Sequence, residues 1–406
     1  MKPPASLAPP PPGLPPRVLL VSSTLDEDGG IPVCVAQLAE GLAGHGAAVE
    51  IAGQHASRPA TVVTDVASRG LATLSAIAAP WHPLGQWRAA RRMRRIVAAS
   101  AALAAAEGRR FVVHLHGVWV APVQAAARAA TAAGATLVVS PHGMLRAEAL
   151  RKSRWRKRLV WHASLRRLLL RADTLHVTSP AEGEDLVALL PGCGPVLVPL
   201  GVRPPADAPR DRAAGAPRRA GYLGRLLPIK HLDGLLEAWK AAAPAGWRLS
   251  IRGPSDGHEA ARLATLADRL GIAAGVEIGG AVPQEGLGEH FASLDLFVLP
   301  SRSEAFALVV GEALAAGVPA ICTTAAPWAA IAARDCGWSV APTVPALAEA
   351  LERATALAPE ALRAMGRRGQ EWVRAEYSWG HVAGRHLDEL YRCARVAPAP
   401  VPPSPA

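Results

Sequence analysis

The 406-residue chain has few aromatics, a deficit of acidic residues and no usable cysteine pattern. Phe, Trp and Tyr together make up 4% of it, while half of the residues are apolar. Such a core is assembled from Ala, Val and Leu, which suits helices packed on parallel strands. Five cysteines (Cys34, Cys193, Cys322, Cys336, Cys393) are odd in number and widely scattered, and no Cys-x-x-Cys pair occurs. A disulfide framework and a zinc site of the usual spacing are therefore not indicated, and a reducing compartment is favoured. The first 16 residues are Pro-rich and lack an apolar core, so they read as a disordered leader rather than a signal peptide. Residues 397–406 read as a disordered tail. The longest stretch without Asp, Glu, Lys or Arg, Ala313 to Ala333, has the length of a membrane helix. Gly317, Pro319 and Pro327 divide it into helix, strand and helix, which argues against a spanning segment.

What is abundant is basic charge. The net charge is +11, and it is uneven: Arg146 to Arg171 holds ten Lys or Arg and a single Glu. A second cluster is Arg88, Arg91, Arg92, Arg94 and Arg95. Solvated helix faces are one reading. Contact with an anionic surface, either lipid headgroups or a phosphorylated acceptor, is the other. Trp155, Trp161, Leu159, Leu165 and Leu168 to Leu170 interleave with the cations, a composition of interfacial helices, although the same leucines suit a core. No nucleic-acid motif accompanies the charge, so a nucleic-acid partner is not expected.

The length is natural for two domains. Short apolar runs alternate with Ala-rich helical stretches. Strands are expected at 17–23, 48–52, 112–115, 136–140, 174–178 and 196–200, and again at 220–223, 248–252, 276–278, 294–299 and 319–322. Helices are expected near 32–42, 88–106, 120–133, 155–171 and 180–190. Residues 54–85 read as strand fragments with loops. This alternation implies parallel sheets with right-handed crossovers. The expected class is α/β: a Rossmann-like domain at 17–201, a linker at 202–219, a second Rossmann-like domain at 220–376, and ligands held at the strand ends.

Two glutamates stand eight positions apart in Ser303-Glu304-Ala305-Phe306-Ala307-Leu308-Val309-Val310-Gly311-Glu312. The apolar run Leu296 to Pro300 places Glu304 in the turn after a strand, with Glu312 about two turns further along the following helix. Helix N-termini at such an edge attract phosphate, whereas carboxylates there suit hydroxyl groups. A ligand offering both is a nucleotide sugar. Gly221 to Lys230 brings Arg225 and Lys230 to another strand end, where two cations can neutralise a diphosphate. Gly29-Gly30 allows a close backbone approach before the first helix. His116 ends Val113-His114-Leu115-His116-Gly117, and His142 lies in Ser140-Pro141-His142-Gly143-Met144. Either can bond a sugar hydroxyl or an acceptor. His114, with apolar neighbours, reads as a core residue.

The Glu-x7-Glu spacing after Leu-Pro-Ser, with Gly224-Arg225-Leu226-Leu227-Pro228-Ile229-Lys230 before it, resembles the retaining glycosyltransferases of the GT-B class, family four, over roughly residues 17 to 395. The segments around Trp328 and Trp338 and the Pro-His-Gly-Met run resemble a bacterial polysaccharide-building branch, although both tryptophans also suit packing. The resemblance implies two domains facing across a cleft and a C-terminal helix, 377–396, crossing back to the first. It implies transfer of a hexose-type sugar from a nucleoside diphosphate sugar to a saccharide or lipid-linked saccharide acceptor, with retention. Glu304 and His142 would hold the sugar, Glu312 the ribose, and Gly30, Arg225, Lys230 and the N–H groups of Phe306, Ala307 and Leu308 the diphosphate, with His116 on the acceptor side. No cofactor or metal is required if Arg225 and Lys230 neutralise the leaving group. Glycine often stands in the family where this chain has Ala305 and Ala307. A cytoplasmic protein, peripheral on the inner face of the membrane through 146–171, is the expected setting. A nucleotide-sugar epimerase of the same architecture and a non-catalytic polyanion-binding protein are the alternatives.

Overall fold

The computed structural model describes residues 13–26, 30–151, 153–206, 217–255 and 257–392. The expected tail, Gly29 of the Gly29-Gly30 turn, Cys393, most of the expected leader and the middle of the expected linker lie outside those residues. The chain divides into two compact units. One comprises residues 1–198 with 382–406, and the other residues 199–381.

The first unit is a seven-stranded parallel sheet. Its strands are β1 (Arg17–Ser22), β2 (Ala48–His55), β3 (Thr73–Ala78), β4 (Phe111–His116), β5 (Thr136–Ser140), β6 (Thr174–Val177) and β7 (Val196–Leu197), in the order β3-β2-β1-β4-β5-β6-β7. The chain order reverses between β1 and β4, which pair directly, Leu20 facing His114. β1, β4 and β5 are buried along almost their whole length, as expected for strands covered by helices on both faces. The segment expected as strand fragments instead contains a helix, Thr61–Ser68, as well as β3. Only Val63 and Val66 of its eight residues are buried, so two apolar contacts carry a helix too short to show a clear period.

The second unit repeats the plan with six strands. They are β8 (Arg218–Leu223), β9 (Trp247–Arg252), β10 (Val276–Gly279), β11 (Leu296–Leu299), β12 (Ala320–Thr323) and β13 (Gly337–Val340), in the order β10-β9-β8-β11-β12-β13. The reversal falls between β8 and β11. The charge-free stretch 313–333 is the end of helix Leu308–Ala315, then β12, then the short helix Ala330–Ala333. No helix of the described residues is long and apolar enough to cross a membrane. β13 is an additional strand, since Gly337 and Trp338 were legible only as a motif.

After helix Pro359–Glu376 the chain enters helix Trp379–Arg385 and rejoins the first unit. Arg110 donates to the Tyr391 carbonyl at 2.8 Å, and the Thr174 hydroxyl to that of Leu390 at 3.2 Å. Among the described cysteines Cys34, Cys193, Cys322 and Cys336 are unbridged.

Candidate functional site

In the second unit the strand order puts the loops after β8 and β11 side by side. The first runs through Gly224 and Arg225 to a tight turn at Pro228–Lys230. The second runs through Ser301 and Glu304 to the helix Leu308–Ala315. Arg302 N–H donates to the Ile229 carbonyl at 2.9 Å, which ties the loops together. Lys230 Nζ donates to Glu304 Oε1 at 2.6 Å, and the Ser301 hydroxyl donates to the same oxygen at 2.6 Å. Both partners of this ion pair are mostly buried, with side chains 20% and 11% exposed. The sequence assigned Lys230 and Glu304 separate tasks, and the structure makes them one unit. Arg225 is exposed on the same loop, its carbonyl accepting from the Tyr222 hydroxyl at 2.8 Å. Burial, and then the Glu304 charge, raise the Tyr222 phenol above its usual range.

Helix Leu308–Ala315 starts after Ala307, which lies in the left-handed region at φ 62° and ψ 57°. The N–H groups of Phe306, Ala307 and Leu308 have no acceptor among the described residues. The Phe306 carbonyl, by contrast, accepts from Trp328 Nε1 at 2.8 Å, and the Phe306 ring packs on the Trp328 indole. Trp328 is fully buried, so it anchors the loop from below. Because the helix begins at Leu308, Glu312 lies about one turn into it rather than two turns along. Glu312 is half-buried, and desolvation pushes its carboxyl up to about 7. An unneutralised carboxylate in such a place is poised to accept hydrogen bonds from neutral donors.

The first unit presents histidines at its strand ends. His116 Nδ1 and His142 Nε2 lie 2.9 Å apart, with the rings stacked. The turn that carries His142 is strained, because His142 itself takes a left-handed φ of 52°. After His116 the chain turns at Gly117, with φ 89°, where a Cβ would lie 2.5 Å from the Ser23 hydroxyl. Glycine is required there by both backbone and space. At Gly30, the first residue of helix Gly30–Gly44, a Cβ would meet nothing within 4 Å, so the protein's own packing does not demand glycine.

A residue that sequence reasoning missed holds the His142 turn. Glu182 is buried, and its Oε1 accepts from Gly143 N–H at 2.5 Å, while Oε2 accepts from the Thr178 N–H and hydroxyl at 2.9 and 3.0 Å. Ser179 caps the same helix by accepting from Glu182 N–H at 3.3 Å. Ser179-x-x-Glu182 has the spacing of a capping box, readable from sequence, although the carboxylate reaches the Thr178 N–H rather than that of Ser179. Here its carboxylate does a second job on the neighbouring loop. Burial lowers the His142 pKa, and the Glu182 charge opposes that shift.

Beneath these lies a second chain of contacts whose proton positions follow from one fixed end. His176 Nε2 sits 2.8 Å from the Val198 carbonyl, so that nitrogen carries hydrogen. In a neutral ring Nδ1 then accepts, and it does so from the Ser140 hydroxyl at 2.5 Å. Ser140 in turn accepts from His114 Nε2–H at 2.6 Å, and His114 Nδ1 accepts from the Tyr391 hydroxyl at 2.9 Å. The run Tyr391 to His114 to Ser140 to His176 to Val198 is thus unidirectional. It needs every imidazole neutral, and burial pulls His176 down to about 4 and His114 and His116 well below the usual range. His114 is therefore a core residue, as its apolar neighbours suggested. His116 Nε2, by contrast, is buried without a partner among the described residues.

The sequence reading also passed over Asp26-Glu27-Asp28, which has Asp-x-Asp spacing. Asp26 Oδ1 is occupied by the Ala56 N–H at 2.8 Å, Oδ2 accepts from the Thr24 hydroxyl at 3.0 Å, and Asp28 lies outside the described residues. No cluster of metal-ligating side chains occurs among the described residues.

Comparison with known proteins gives a consistent result. Residues 29–201 match the family described as "Glycosyl transferase 4-like domain", and residues 207–372 that described as "Glycosyl transferases group 1". A D-inositol 3-phosphate glycosyltransferase of Segniliparus rotundus is 32% identical over 211 residues, 49% of this chain and 46% of that protein. An exopolysaccharide phosphotransferase of Streptomyces coelicolor is 38% identical over 165 residues, 39% of this chain and 16% of that protein. The chain thus spans less than half the length of these curated relatives. Among solved structures, sucrose-phosphate synthase of Thermosynechococcus elongatus superimposes with a TM-score of 0.66 at 23% identity, covering 93% of this chain and 98% of that one. HepE of Anabaena, solved with UDP-glucose, gives 0.67 at 16% identity, covering 92% and 99%. These likenesses show the GT-B fold.

Proposed function

We propose that this chain, a member of the group 1 glycosyl transferases by its two matched halves, transfers a hexose-type sugar from a nucleoside diphosphate sugar to a hydroxyl of a saccharide or lipid-linked saccharide, with retention of configuration. The observation that carries this reading is the buried Lys230–Glu304 pair beside the open N–H groups of Phe306, Ala307 and Leu308. Cation, donors and carboxylate in one place match a ligand that is phosphate at one end and polyhydroxylated at the other. The solved complexes of HepE with UDP and with UDP-glucose support a nucleotide-sugar donor.

In the reaction the bond from the anomeric carbon to the diphosphate oxygen breaks, and a bond to the acceptor oxygen forms on the same face. The acceptor proton passes to the departing phosphate. Arg225, Lys230 and the helix N-terminus stabilise the charge that develops there, so no metal is needed. Glu304 orients the sugar hydroxyls, and the Lys230 ammonium at 2.6 Å holds its side chain in place. Glu312 receives the ribose hydroxyls. We assign His142, held by Glu182 and stacked on His116, to a sugar hydroxyl, and His116 to the acceptor side. The relatives named for D-inositol 3-phosphate support an acceptor that bears phosphate, which suits the basic stretch 146–171. A peripheral position on an anionic membrane surface fits the exposed Trp155 and Leu159 in that stretch.

The test is a thermal-shift screen against nucleoside diphosphates and their sugars, since a ligand bound only by the folded state raises the melting temperature. Stabilisation by at least one nucleotide sugar is expected, followed by NMR of the product to read its anomeric configuration. No shift with any donor would defeat the proposal. A new sugar nucleotide formed without acceptor would replace it with epimerisation.

A further inference from the structure

The first unit contains a groove of about 670 Å³ that gives the basic stretch 146–171 a definite binding volume. One wall is the helix Arg154–Val160 and the turn that continues it. Arg154, Lys157, Arg158 and Trp161 all line the groove, and their three- and four-residue spacing puts them on one face. Leu150 and Arg151 come from the preceding helix, and Lys157 Nζ ties the two together by donating to the Ala149 carbonyl at 2.6 Å. Trp119 and Leu189 close the other side, with Lys157 Nζ 5.4 Å from the centre of the Trp119 ring. Among the described residues no carboxylate pairs with Arg151, Arg154 or Arg158, whereas Arg146 nearby pairs with Asp185 at 3.2 Å. The groove therefore combines an apolar floor with several cations. No side chain of the helix 154–160 is buried in the core, and on its other side Trp155 and Leu159, one turn apart, are 69% and 65% exposed.

Position adds to this. Trp119 stands three residues after His116, and its indole donates to the Met144 carbonyl, two residues after His142, at 3.3 Å. The groove thus begins where the loops of β4 and β5 end.

We infer that this groove binds the phosphate end of a lipid-linked acceptor: a diphosphate ester of a long hydrocarbon chain, with the diphosphate on Arg151, Arg154, Lys157 and Arg158 and the first part of the chain against Trp119, Leu150, Trp161 and Leu189. Several cations around one volume match the two or three charges of a diphosphate better than the single charge of a membrane phospholipid. The exposed Trp155 and Leu159 then rest in the interface from which the chain emerges. Only the saccharide carried by the lipid depends on the proposed glycosyl transfer. The binding of its lipid diphosphate does not.

Farnesyl diphosphate, a soluble representative, tests this by calorimetry on the whole protein, beside farnesol, inorganic diphosphate and phosphatidylglycerol vesicles. Saturable one-to-one binding of farnesyl diphosphate is expected, at least tenfold tighter than either half alone. The triple variant R154Q/K157Q/R158Q should weaken it at least tenfold. Trp161→Ala, which removes no charge, should weaken it severalfold, so the result does not hang on one variant folding. Lys230→Ala should leave it unchanged. Equal affinity for inorganic diphosphate, binding confined to vesicles, or loss in Lys230→Ala with retention in the triple variant would each overturn the inference. UDP titrated in parallel reports separately on the donor site: its failure to bind would sink glycosyl transfer and leave the groove standing.

Discussion

The two sheets share one strand order, yet their edges are finished in opposite ways. In the first unit most polar groups at the ends of β4, β5 and β6 satisfy one another, His116 Nε2 being the exception among them. Five groups from Tyr391 to Val198 pass hydrogen bonds in a single direction, and Glu182 fastens the adjoining loop. In the second unit Lys230 and Glu304 are joined, but the N–H groups at the helix start and the Glu312 carboxylate are left over. A satisfied network holds shape, because any change leaves a buried group unpaired. An unsatisfied edge invites a ligand that supplies the missing partners. The lesson is that similar frames can divide labour, one edge positioning and the other binding.

The strongest way to break this comparison is at Glu304. Glu304→Gln keeps the size and removes the charge, and turnover should fall about 10²- to 10³-fold with the fold intact. An unchanged rate would take Glu304 out of the reaction. Lys230→Ala should weaken nucleoside diphosphate binding by about 10- to 100-fold in calorimetry. Because the two side chains touch at 2.6 Å, their effects on turnover should be far from additive in a double-mutant cycle.

The first unit is probed by acid. Its buried histidines have folded-state pKa values depressed by desolvation, so the unfolded chain takes up protons first as the pH falls. Their stabilising contribution is complete above the unfolded value near 6.5 and is lost as pH drops from there toward about 4 for His176. The loss for His176 alone approaches ~3 kcal/mol at the lower end. Around it, Glu182 favours the charged ring, while Arg385 and His142 oppose it. Denaturant unfolding at pH 7.5 and 5 should show the transition of this unit moving down, and His176→Asn should flatten the response. A pH-independent midpoint would dissolve the neutral hydrogen-bond chain.

Glu312 carries the opposite signature. Its carboxyl is pushed up to about 7, and hydroxyl donors from a ligand favour the ionised form, so binding should release a proton. Nucleotide affinity should therefore rise severalfold from pH 6 to 8 and become level in Glu312→Gln.

Much of this was legible in advance, and what was not has a physical reason. The strands β1, β4, β5, β8 and β11 announced themselves as largely apolar runs, because strands covered on both faces carry few polar positions. The helix at Thr61–Ser68 and β13 did not, since each buries too few apolar side chains to show a period. The spacing singled out Glu304 and Lys230, but not their mutual bond, which joins residues 74 positions apart across β8 and β11. Glu182 was missed although the Ser179-x-x-Glu182 spacing marks a helix start, and its grip on Gly143 required the loop of another strand to arrive beside it.

The smallest effect sharpens the contrast most finely. Ala307 holds a left-handed backbone at the mouth of the open edge, where an L side chain is strained by roughly 1 kcal/mol. In the other unit the same kind of strain falls on His142, whose turn is clamped by Glu182 and whose ring has a neighbour to touch. At Ala307 the methyl group has no such compensating bond. Ala307→Gly should therefore stabilise the second unit by up to ~1 kcal/mol, less the entropy that glycine adds to the unfolded chain, and should leave nucleotide affinity within about twofold. A gain in stability with a loss of affinity would mean that the strained alanine fixes the direction of the N–H groups. The open edge would then be pre-set for its ligand by the same device that shapes the histidine loop.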